Sequence, residues 1–303
     1  MTTNFDGAFQ DALCALARSA GTAIMAVRRR GVVTASKSDD SPVTAADHLA
    51  QELILPGLHQ LLPGVPVIAE EAPAEPWDER RQWRHCWLLD PLDGTREFIA
   101  GSPEFTVNIA LVSDGVPVLG LILQPATGDL VAAFNGAGEG GGWLCFRAGG
   151  DGGRRPLPEV GCPPPGGGVR LVVSRHYGAA EAAALTAGLS ARYGSISLRE
   201  AGSAYKFCLL AQGAADIYPR RAPTCEWDTA AGQAILQALG GGVFDLAGKP
   251  LTYNRGPSLI NPPFIALARG RESWGFLFAP GTPQHSQNSS SGRAGPPLSP
   301  SLE

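Results

Sequence analysis

The sequence lacks several features that would place it in other classes of protein. Its six cysteines are scattered, with no Cys-x-x-Cys pair and no zinc-ligand spacing. Several of them lie in apolar runs and are interpreted as small core residues, which favours a reducing cytosol. No apolar run reaches about 18 residues and no apolar leader follows the first methionine, so we expect neither a membrane-spanning helix nor a signal peptide.

The chain also lacks an excess of basic charge. Its formal net charge is −4 over 303 residues, so a general nucleic-acid-binding surface is not expected. The run Arg28-Arg29-Arg30 closes a predicted helix over about 6–30, where cations complement the helix dipole. A dianionic ligand would therefore be attracted by metal ions and a few local cations. The expected partner is a small-molecule substrate.

Glycine and proline concentrate between about residues 135 and 168, and the later part of this stretch is predicted to be a flexible connector between two halves. No P-loop Lys-Ser/Thr follows these glycines, so a phosphate-cradling role is not expected. The predicted organisation is an N-terminal half at 1–160 that carries most metal ligands, a C-terminal α/β half at 169–276 and a disordered tail at 278–303. Apolar runs predict strands at 65–69, 85–89, 105–112, 116–123 and 129–134, and a helix at about 228–239.

The most informative stretch runs from Trp87 to Thr95. An apolar run predicts a buried strand that stops at Pro91, which lacks a backbone donor. Asp90 and Asp93 can then point into one small volume, where they repel each other unless a cation lies between them. Hard oxygen ligands around a turn suit Mg²⁺. The alternative is an ordinary Asp-Pro and Asp-Gly turn with solvated carboxylates.

Other acids have similar alternatives. Glu70 and Glu71 follow a predicted strand, where paired acids often form a solvated loop entry. Thr44 and Asp47 resemble a capping box at the start of a helix. Asp228 is placed to act as the N-cap of the last predicted helix. Each acid can be explained separately by one of these structural roles, but these roles do not explain why the acids occur together in this pattern.

That joint pattern resembles the inositol monophosphatase superfamily, in order along the chain from about residue 10 to about 270. The resemblance implies a mixed α+β or α/β fold built as a layered αβαβα sandwich, and a lithium-sensitive, Mg²⁺-dependent phosphomonoesterase. The motifs that carry it are Ser41–Asp47, Glu70-Glu71, Asp90–Thr95 and Trp227–Gly232.

Within the superfamily, further stretches are most similar to the bacterial 3′(2′),5′-bisphosphate nucleotidases. The implied reaction converts adenosine 3′,5′-bisphosphate, a by-product of sulfate assimilation, to AMP and phosphate. The alternatives are an inositol monophosphatase or a fructose-1,6-bisphosphatase of the same fold, or a non-catalytic nucleotide or metal sensor. The stretches are Lys37–Thr44, Thr95–Ile99 with Glu104–Leu111, Gly202–Cys208 and Ile217–Arg220.

The resemblance implies two or three Mg²⁺ ions in one site. Glu70, Asp90 and the carbonyl of Leu92 would hold one ion, and Asp90, Asp93 and Asp228 a second. Such two-metal sites suit an in-line displacement at phosphorus. Of the implied catalytic residues, Thr95 would pair with Asp47 to take a proton from the attacking water, because a hydroxyl alone is a poor base. Glu70 is the third catalytic residue.

The resemblance also implies a set of substrate contacts. The amides of Gly94 and Thr95, at a helix start, would face the phosphate. Lys206 and Arg220 would bind the second phosphate, and Ser203 would add a hydroxyl; the alternative for both cations is a solvated surface position. The remaining implied contacts are Glu70, Leu92, Asp93, Asp228 and His176.

One segment departs from the nucleotidase pattern, which has Ser-Arg-Ser-His after a strand. Here Ser174 and Arg175 are followed by His176 and Tyr177, so the histidine comes one position early. Either His176 reaches the same pocket or Tyr177 replaces it. The expected location is cytoplasmic, with peripheral association at the inner membrane left open, as is the choice between monomer and homodimer.

Overall fold

The structure is a computed structural model that describes residues 5–31, 34–36, 42–158, 163–164, 166–175, 177–270, 274 and 277. Its helices are α1 (Gly7–Arg30), α2 (Ala45–Leu61), α3 (Trp77–Arg80), α4 (Thr95–Ile99), α5 (Ala179–Tyr193), α6 (Tyr205–Ala211) and α7 (Glu226–Ala238). The predicted helix over 6–30 is confirmed as α1, and the predicted helix at 228–239 as α7. The predicted disordered tail at 278–303 lies outside the described residues.

Two sheets organise the described part of the chain. The larger sheet joins its strands in sequence order, with β3 and β4 parallel and every later neighbour antiparallel. Its strands are β3 (Val67–Ala69), β4 (His85–Asp93), β5 (Thr106–Ser113), β6 (Val116–Gln124), β7 (Asp129–Asn135), β8 (Trp143–Ala148) and β9 (Arg154–Arg155).

The smaller sheet has five strands in the order β11-β10-β12-β14-β13. The first three strands in this order are parallel, and β14 runs antiparallel to both its neighbours. Its strands are β10 (Val169–Val173), β11 (Ile196–Glu200), β12 (Ile217–Arg220), β13 (Gly242–Asp245) and β14 (Phe264–Leu267); β1 (Thr34–Ser36) and β2 (Pro42–Thr44) form a separate pair.

Alternating apolar residues bury both faces of the larger sheet. Trp87 and Leu89 of β4 pack with α1 and α2, whereas Leu88 points to the opposite face and packs with α7. Helices α6 and α7 fill the space between the sheets, and α5 packs against the far face of the smaller sheet. The layers therefore run α, β, α, β, α, which confirms the expected fold class.

One close approach fixes the central helix. A Cβ atom at Gly120 of β6 would lie 2.3 Å from the carbonyl oxygen of Ala231 in α7, so only glycine allows this packing distance. Because α7 carries Asp228 near its start, the contact also sets how far that carboxylate reaches toward the larger sheet.

The predicted end of a strand at Pro91 is wrong. Strand β4 continues to Asp93, and its pairing with β5 shifts between the Asp90–Asn108 and Asp93–Thr106 partners. Two residues of β4 stand opposite one of β5, so Pro91 lies in a bulge where no ladder hydrogen bond is required of it. The bulge turns both aspartates toward the end of the sheet.

Candidate active site

Glu70 and Asp90 lie together because their strands are parallel neighbours. Glu70 follows β3, and its N–H donates to the carbonyl oxygen of Leu89 at 3.1 Å. Asp90 is 1% exposed, and one of its carboxyl oxygens accepts the N–H of Leu92 at 3.0 Å. The carboxyl groups of Glu70 and Asp90 also hydrogen-bond each other. The end of this strand pair therefore carries two adjacent acids.

Asp93 is held from both sides of the molecule. Its Oδ2 accepts the side-chain amide of Asn108 on β5 at 3.2 Å and the backbone N–H of Ala204 at 2.6 Å. Sequence reasoning did not identify either contact, since Asn108 was noted only as part of a matching stretch. The alternation of β5, which places Asn108 opposite Asp90 in the register, was the available signal.

Asp228 reaches the same place from α7. The prediction that it caps the helix is wrong: Cys225 is the N-cap residue and Asp228 is the third residue of the helix. Its Oδ2 accepts the N–H of Cys225 at 2.7 Å, as the acid in a capping box does. That bond occupies one oxygen and leaves the carboxylate facing the acids of β4.

Glu70, Asp90, Asp93 and Asp228 form what we call the acid cluster. Burial, followed by the charges of the other three members, holds the pKa of Asp90 well above its ordinary value. Burial and then Asp93 do the same to the pKa of Asp228. Burial also raises the pKa of Asp93, opposed first by the charge of Lys206. The protein thus supplies too little positive charge for the acids it has buried.

The donor chemistry of the acid cluster fits Mg²⁺. Within the described residues, no three His, Cys, Asp or Glu side chains are already arranged around a single metal position. A prearranged cage is not required, because Mg²⁺ keeps several waters and shares its shell with backbone oxygens and substrate phosphate. The buried, mutually repelling carboxylates are the feature that a hard cation would relieve.

Asp47 and Thr95 form the predicted hydroxyl–carboxylate pair. The hydroxyl of Thr95 donates to Oδ1 of Asp47 at 3.2 Å. The other oxygen of Asp47 accepts the N–H and the hydroxyl of Thr44, which confirms the capping box at the start of α2. Asp47 is therefore locked in orientation by its own helix, and it in turn orients Thr95.

Gly94 makes the turn that presents these groups. It has φ +90° as the N-cap of α4, and a Cβ atom there would lie 3.1 Å from Cβ of Ser203. Both the conformation and the space favour glycine. The first N–H groups of α4 have no partner within the helix, so they are available to an anion in front of Thr95. The predicted helix start at this position is confirmed.

A cavity of about 180 Å³ opens beside Asp93 and Asp228. It lies between the start of α4 and the segments that follow the strands of the smaller sheet. The charged residues of its wall are Asp93, Arg96, Glu97, Arg175, Lys206, Arg220 and Asp228. The wall of one cavity thus carries both acids and cations. This suits a ligand with one phosphate that binds to the cations and another group that binds a metal ion held by the acids.

Lys206 and Arg220 both line this cavity, and Lys206 is not a solvated surface cation. It is 4% exposed, and its ammonium donates to the carbonyl oxygens of Ser203 at 2.6 Å and Ala201 at 3.3 Å. Burial lowers the pKa of Lys206 to about 8. The guanidinium of Arg220 donates to the carbonyl oxygen of Ala222 at 3.1 Å and keeps an open side toward the cavity.

Ser203 lines the cavity with φ +46°, a conformation uncommon for residues other than glycine. Its hydroxyl accepts the N–H of Tyr205 at 3.1 Å. His176 lies outside the described residues. Tyr177 is not among the described residues of the cavity wall, and its hydroxyl hydrogen-bonds Arg221 instead.

Sequence comparison agrees with this geometry. The chain matches the Inositol monophosphatase family over residues 8–271. The chain belongs to the inositol monophosphatase family. The expectation drawn from the motifs is confirmed, and the match spans both sheets and every member of the acid cluster.

Individual members of the family are also similar to the chain over most of its length. The chain is 43% identical over 258 residues to "3'(2'),5'-bisphosphate nucleotidase CysQ" of Escherichia coli strain K12, covering 84% of this chain and 97% of that protein. It is 32% identical to the protein of the same name from Haemophilus influenzae, covering 80% of this chain and 86% of that one.

Solved structures of family members share the fold. CysQ from Bacteroides thetaiotaomicron, described as a bacterial member of the inositol monophosphatase family, superposes with a TM-score of 0.71 at 37% identity, covering 86% of this chain and 98% of that one. An inositol monophosphatase from Thermotoga maritima superposes with a TM-score of 0.67 at 23% identity over 88% of this chain and 94% of that one, which shows the fold alone.

Among the described helices, none is both long and apolar enough to cross a membrane.

Proposed function

We propose that the chain is a Mg²⁺-dependent 3′(2′),5′-bisphosphate nucleotidase that hydrolyses adenosine 3′,5′-bisphosphate to AMP and phosphate. The observation that carries the proposal is the acid cluster, buried and short of positive charge, at the edge of a cavity lined by Lys206 and Arg220. The names and the 32–44% identity of the CysQ relatives support the same activity.

The acid cluster would hold the metal ions. Glu70, Asp90 and the carbonyl of Leu92 are the proposed ligands of one Mg²⁺, and Asp90, Asp93 and Asp228 those of a second, with Asp90 shared. Bound Mg²⁺ supplies a Lewis acid for the phosphoryl oxygens and lowers the pKa of bound water. Whether two or three ions bind is decided by a metal titration.

Thr95 and Asp47 are the proposed proton acceptors. The hydroxyl of Thr95 lies 3.2 Å from Oδ1 of Asp47 and 3.4 Å from the carbonyl oxygen of Leu92. When it donates to Asp47, its lone pairs can accept a hydrogen bond from water. As the water loses its proton to Thr95, the hydroxyl proton passes to Asp47, whose charge makes that transfer favourable. Glu70, beside Asp90, would orient the same water.

The phosphate groups would be bound by two kinds of donor. The backbone N–H groups at the start of α4, at Gly94 and Thr95, would face the phosphate that is cleaved. Lys206 and Arg220 would bind the second phosphate, with Ser203 adding a hydroxyl at the same wall. His176 stays a predicted contact.

Two alternatives remain testable. A phosphatase of the same fold that acts on inositol monophosphate or fructose 1,6-bisphosphate would use the same acids. The cations of the cavity favour a substrate with a second phosphate over inositol monophosphate, and the names of the CysQ relatives favour a nucleotide over fructose 1,6-bisphosphate. A non-catalytic nucleotide or metal sensor would not need Thr95 aligned on Asp47. Cytoplasmic location, lithium sensitivity and the oligomeric state stay predictions.

The deciding experiment is phosphate release from adenosine 3′,5′-bisphosphate, inositol 1-phosphate and fructose 1,6-bisphosphate, each with Mg²⁺ and with or without Li⁺. We expect a clear preference for the nucleotide and inhibition by Li⁺. Preference for a sugar phosphate would keep the acid cluster and discard the proposed nucleotide contacts. Absence of turnover on all three substrates would favour the sensor.

A further inference from the structure

Glu104 connects the two sheets at the mouth of the cavity. It lies between α4 and β5, and its Oε2 accepts the N–H of Gly202 at 2.9 Å and an N–H of the Arg175 guanidinium. Arg175 follows β10 and Gly202 follows β11, so one carboxylate oxygen from the segment before β5 holds two segments of the smaller sheet. The side chain of Glu104 is only 15% exposed, which strengthens both contacts.

The segment held by Glu104 is a wall of the cavity. Ala201, Gly202 and Ser203 all line it, and Ala204 donates its N–H to Asp93. The segment is thus attached to the N-terminal part of the chain at two points, one of which belongs to the acid cluster. A change at Glu104 would therefore move the cavity wall without removing any proposed metal ligand.

Arg175 differs from Lys206 and Arg220, the two cavity cations already discussed. Lys206 and Arg220 donate hydrogen bonds to backbone carbonyl groups, whereas the guanidinium of Arg175 is oriented by a carboxylate. The side chain of Arg175 is 36% exposed at the cavity wall. A guanidinium has five N–H donors in a fixed fork, so one bond to Glu104 leaves others able to bind phosphate in a bidentate manner. Glu104 fixes the direction in which that fork points.

We propose that Arg175 binds the second phosphate of the substrate and that Glu104 is a positioning residue for this contact, holding the guanidinium toward the ligand and the Gly202 segment in the cavity wall. The inference rests on the proposed nucleotidase function and adds a specificity determinant to it. Neither residue touches the reacting phosphorus.

The test compares Glu104→Gln, Arg175→Ala and the double variant on adenosine 3′,5′-bisphosphate and adenosine 3′-monophosphate, which lacks the second phosphate. Glutamine still accepts the Gly202 N–H but loses the charge that orients Arg175. We expect each single variant to lower the ratio of kcat/KM for the bisphosphate to that for the monophosphate by about tenfold or more, mainly through KM for the bisphosphate. The double variant should lose no more than Arg175→Ala alone, because Glu104 acts through Arg175.

Arg84 and Asp114 offer a matched control, since they form an exposed ion pair at 3.0 Å and are not in the cavity wall. Arg84→Ala and Asp114→Asn should leave the ratio unchanged. Equal losses on both substrates, or losses that add in the double variant, would overturn the inference. If the wild-type chain shows no preference for the bisphosphate, the proposed function fails first; if the preference is present and the variants keep it, only the role of Glu104 and Arg175 fails.

Discussion

Two carboxylates in the first turn of α7, the buried Glu226 and the half-buried Asp228, lie in opposite surroundings. Glu226 accepts the N–H of Asn254 at 2.7 Å and faces the guanidinium of Arg80, which itself donates to the side chain of Asn254 at 2.7 Å. Burial raises the pKa of Glu226 to about 7, opposed by the Asn254 amide and by Arg80. Asp228, two residues later, faces further acids. Glu226 is thus partly compensated by a buried cation, whereas Asp228 lies among acids that raise its pKa further.

The difference fits a structural role for Glu226 and the proposed metal-binding role for Asp228. Arg80 is 2% exposed and also donates to the carbonyl oxygens of Glu75 and Pro257, while its guanidinium lies 5.5 Å from the ring of Trp77. A fully bonded network of this kind holds the start of α7 in place. In the acid cluster, Lys206 and Arg220 offset only part of the penalty on Asp93 and Asp228. Leaving charge uncompensated in a buried site is costly unless a ligand supplies the opposite charge.

The largest effect is expected for Asp90→Asn. This change removes the shared carboxylate of the acid cluster, so Mg²⁺-dependent phosphate release should fall by about 10³-fold or more. The metal-free protein should become more stable, by roughly 1 kcal/mol, because mutual repulsion among the acids is reduced. Activity assays measure the fall in phosphate release, and thermal unfolding in EDTA measures the gain in stability of the metal-free protein.

Glu226→Gln is the matched control for this change. It also replaces a buried acid by its amide, but Arg80 and the Asn254 amide already offset part of the burial penalty on Glu226, so the metal-free protein should gain less stability than Asp90→Asn does, or none. If Glu226→Gln stabilises the metal-free protein as much as Asp90→Asn does, the distinction between the two carboxylates is wrong.

The next largest effect is expected for Thr95→Val. Valine keeps the volume of threonine but loses the hydroxyl that donates to Asp47, so kcat should fall by roughly 10²-fold while the fold is retained. Thr95→Ser, which keeps the hydroxyl, should retain most of the activity. Steady-state kinetics at saturating Mg²⁺ measures both, and near-normal turnover by the valine variant would remove the pair from the mechanism.

Arg80→Met should act on stability more than on chemistry. It leaves the side-chain oxygen of Asn254 and the charge of Glu226 without their partner, at a cost of about 3 kcal/mol in the free energy of unfolding. Urea denaturation measures this loss. Since no proposed ligand is removed, activity well below the unfolding transition should fall much less than in Asp90→Asn; an equal fall would mean that the network takes part in the reaction.

The smallest effect is expected for Asn108→Ala. It removes one hydrogen bond from Asp93, which keeps the bond from the Ala204 amide. We expect a decrease in kcat/KM of about tenfold or less, consistent with one hydrogen bond of roughly 1 kcal/mol. A larger decrease, approaching that of Asp90→Asn, would give Asn108 a direct role at the phosphate.

The acids of the site could be predicted from the sequence, but the bulge and the hydrogen bonds that orient them could not. Asp90, Asp93 and the Thr44–Asp47 capping box could be found because strand ends and helix starts have local signatures. The bulge at Pro91 could not, since it depends on the pairing with β5. The bond from Ala204 to Asp93 and the bonds to Glu104 could not be found either, because they join residues 71 to 111 positions apart.

The central claim is that the acid cluster is completed by a metal ion that the reaction requires. The most direct measurement is phosphate release from adenosine 3′,5′-bisphosphate as Mg²⁺ is titrated into EDTA-treated wild-type, Asp90→Asn and Glu226→Gln proteins. We predict saturable activation of the wild type and of Glu226→Gln, and none of Asp90→Asn. Metal-independent release by the wild type, or full activation of Asp90→Asn, would contradict the account.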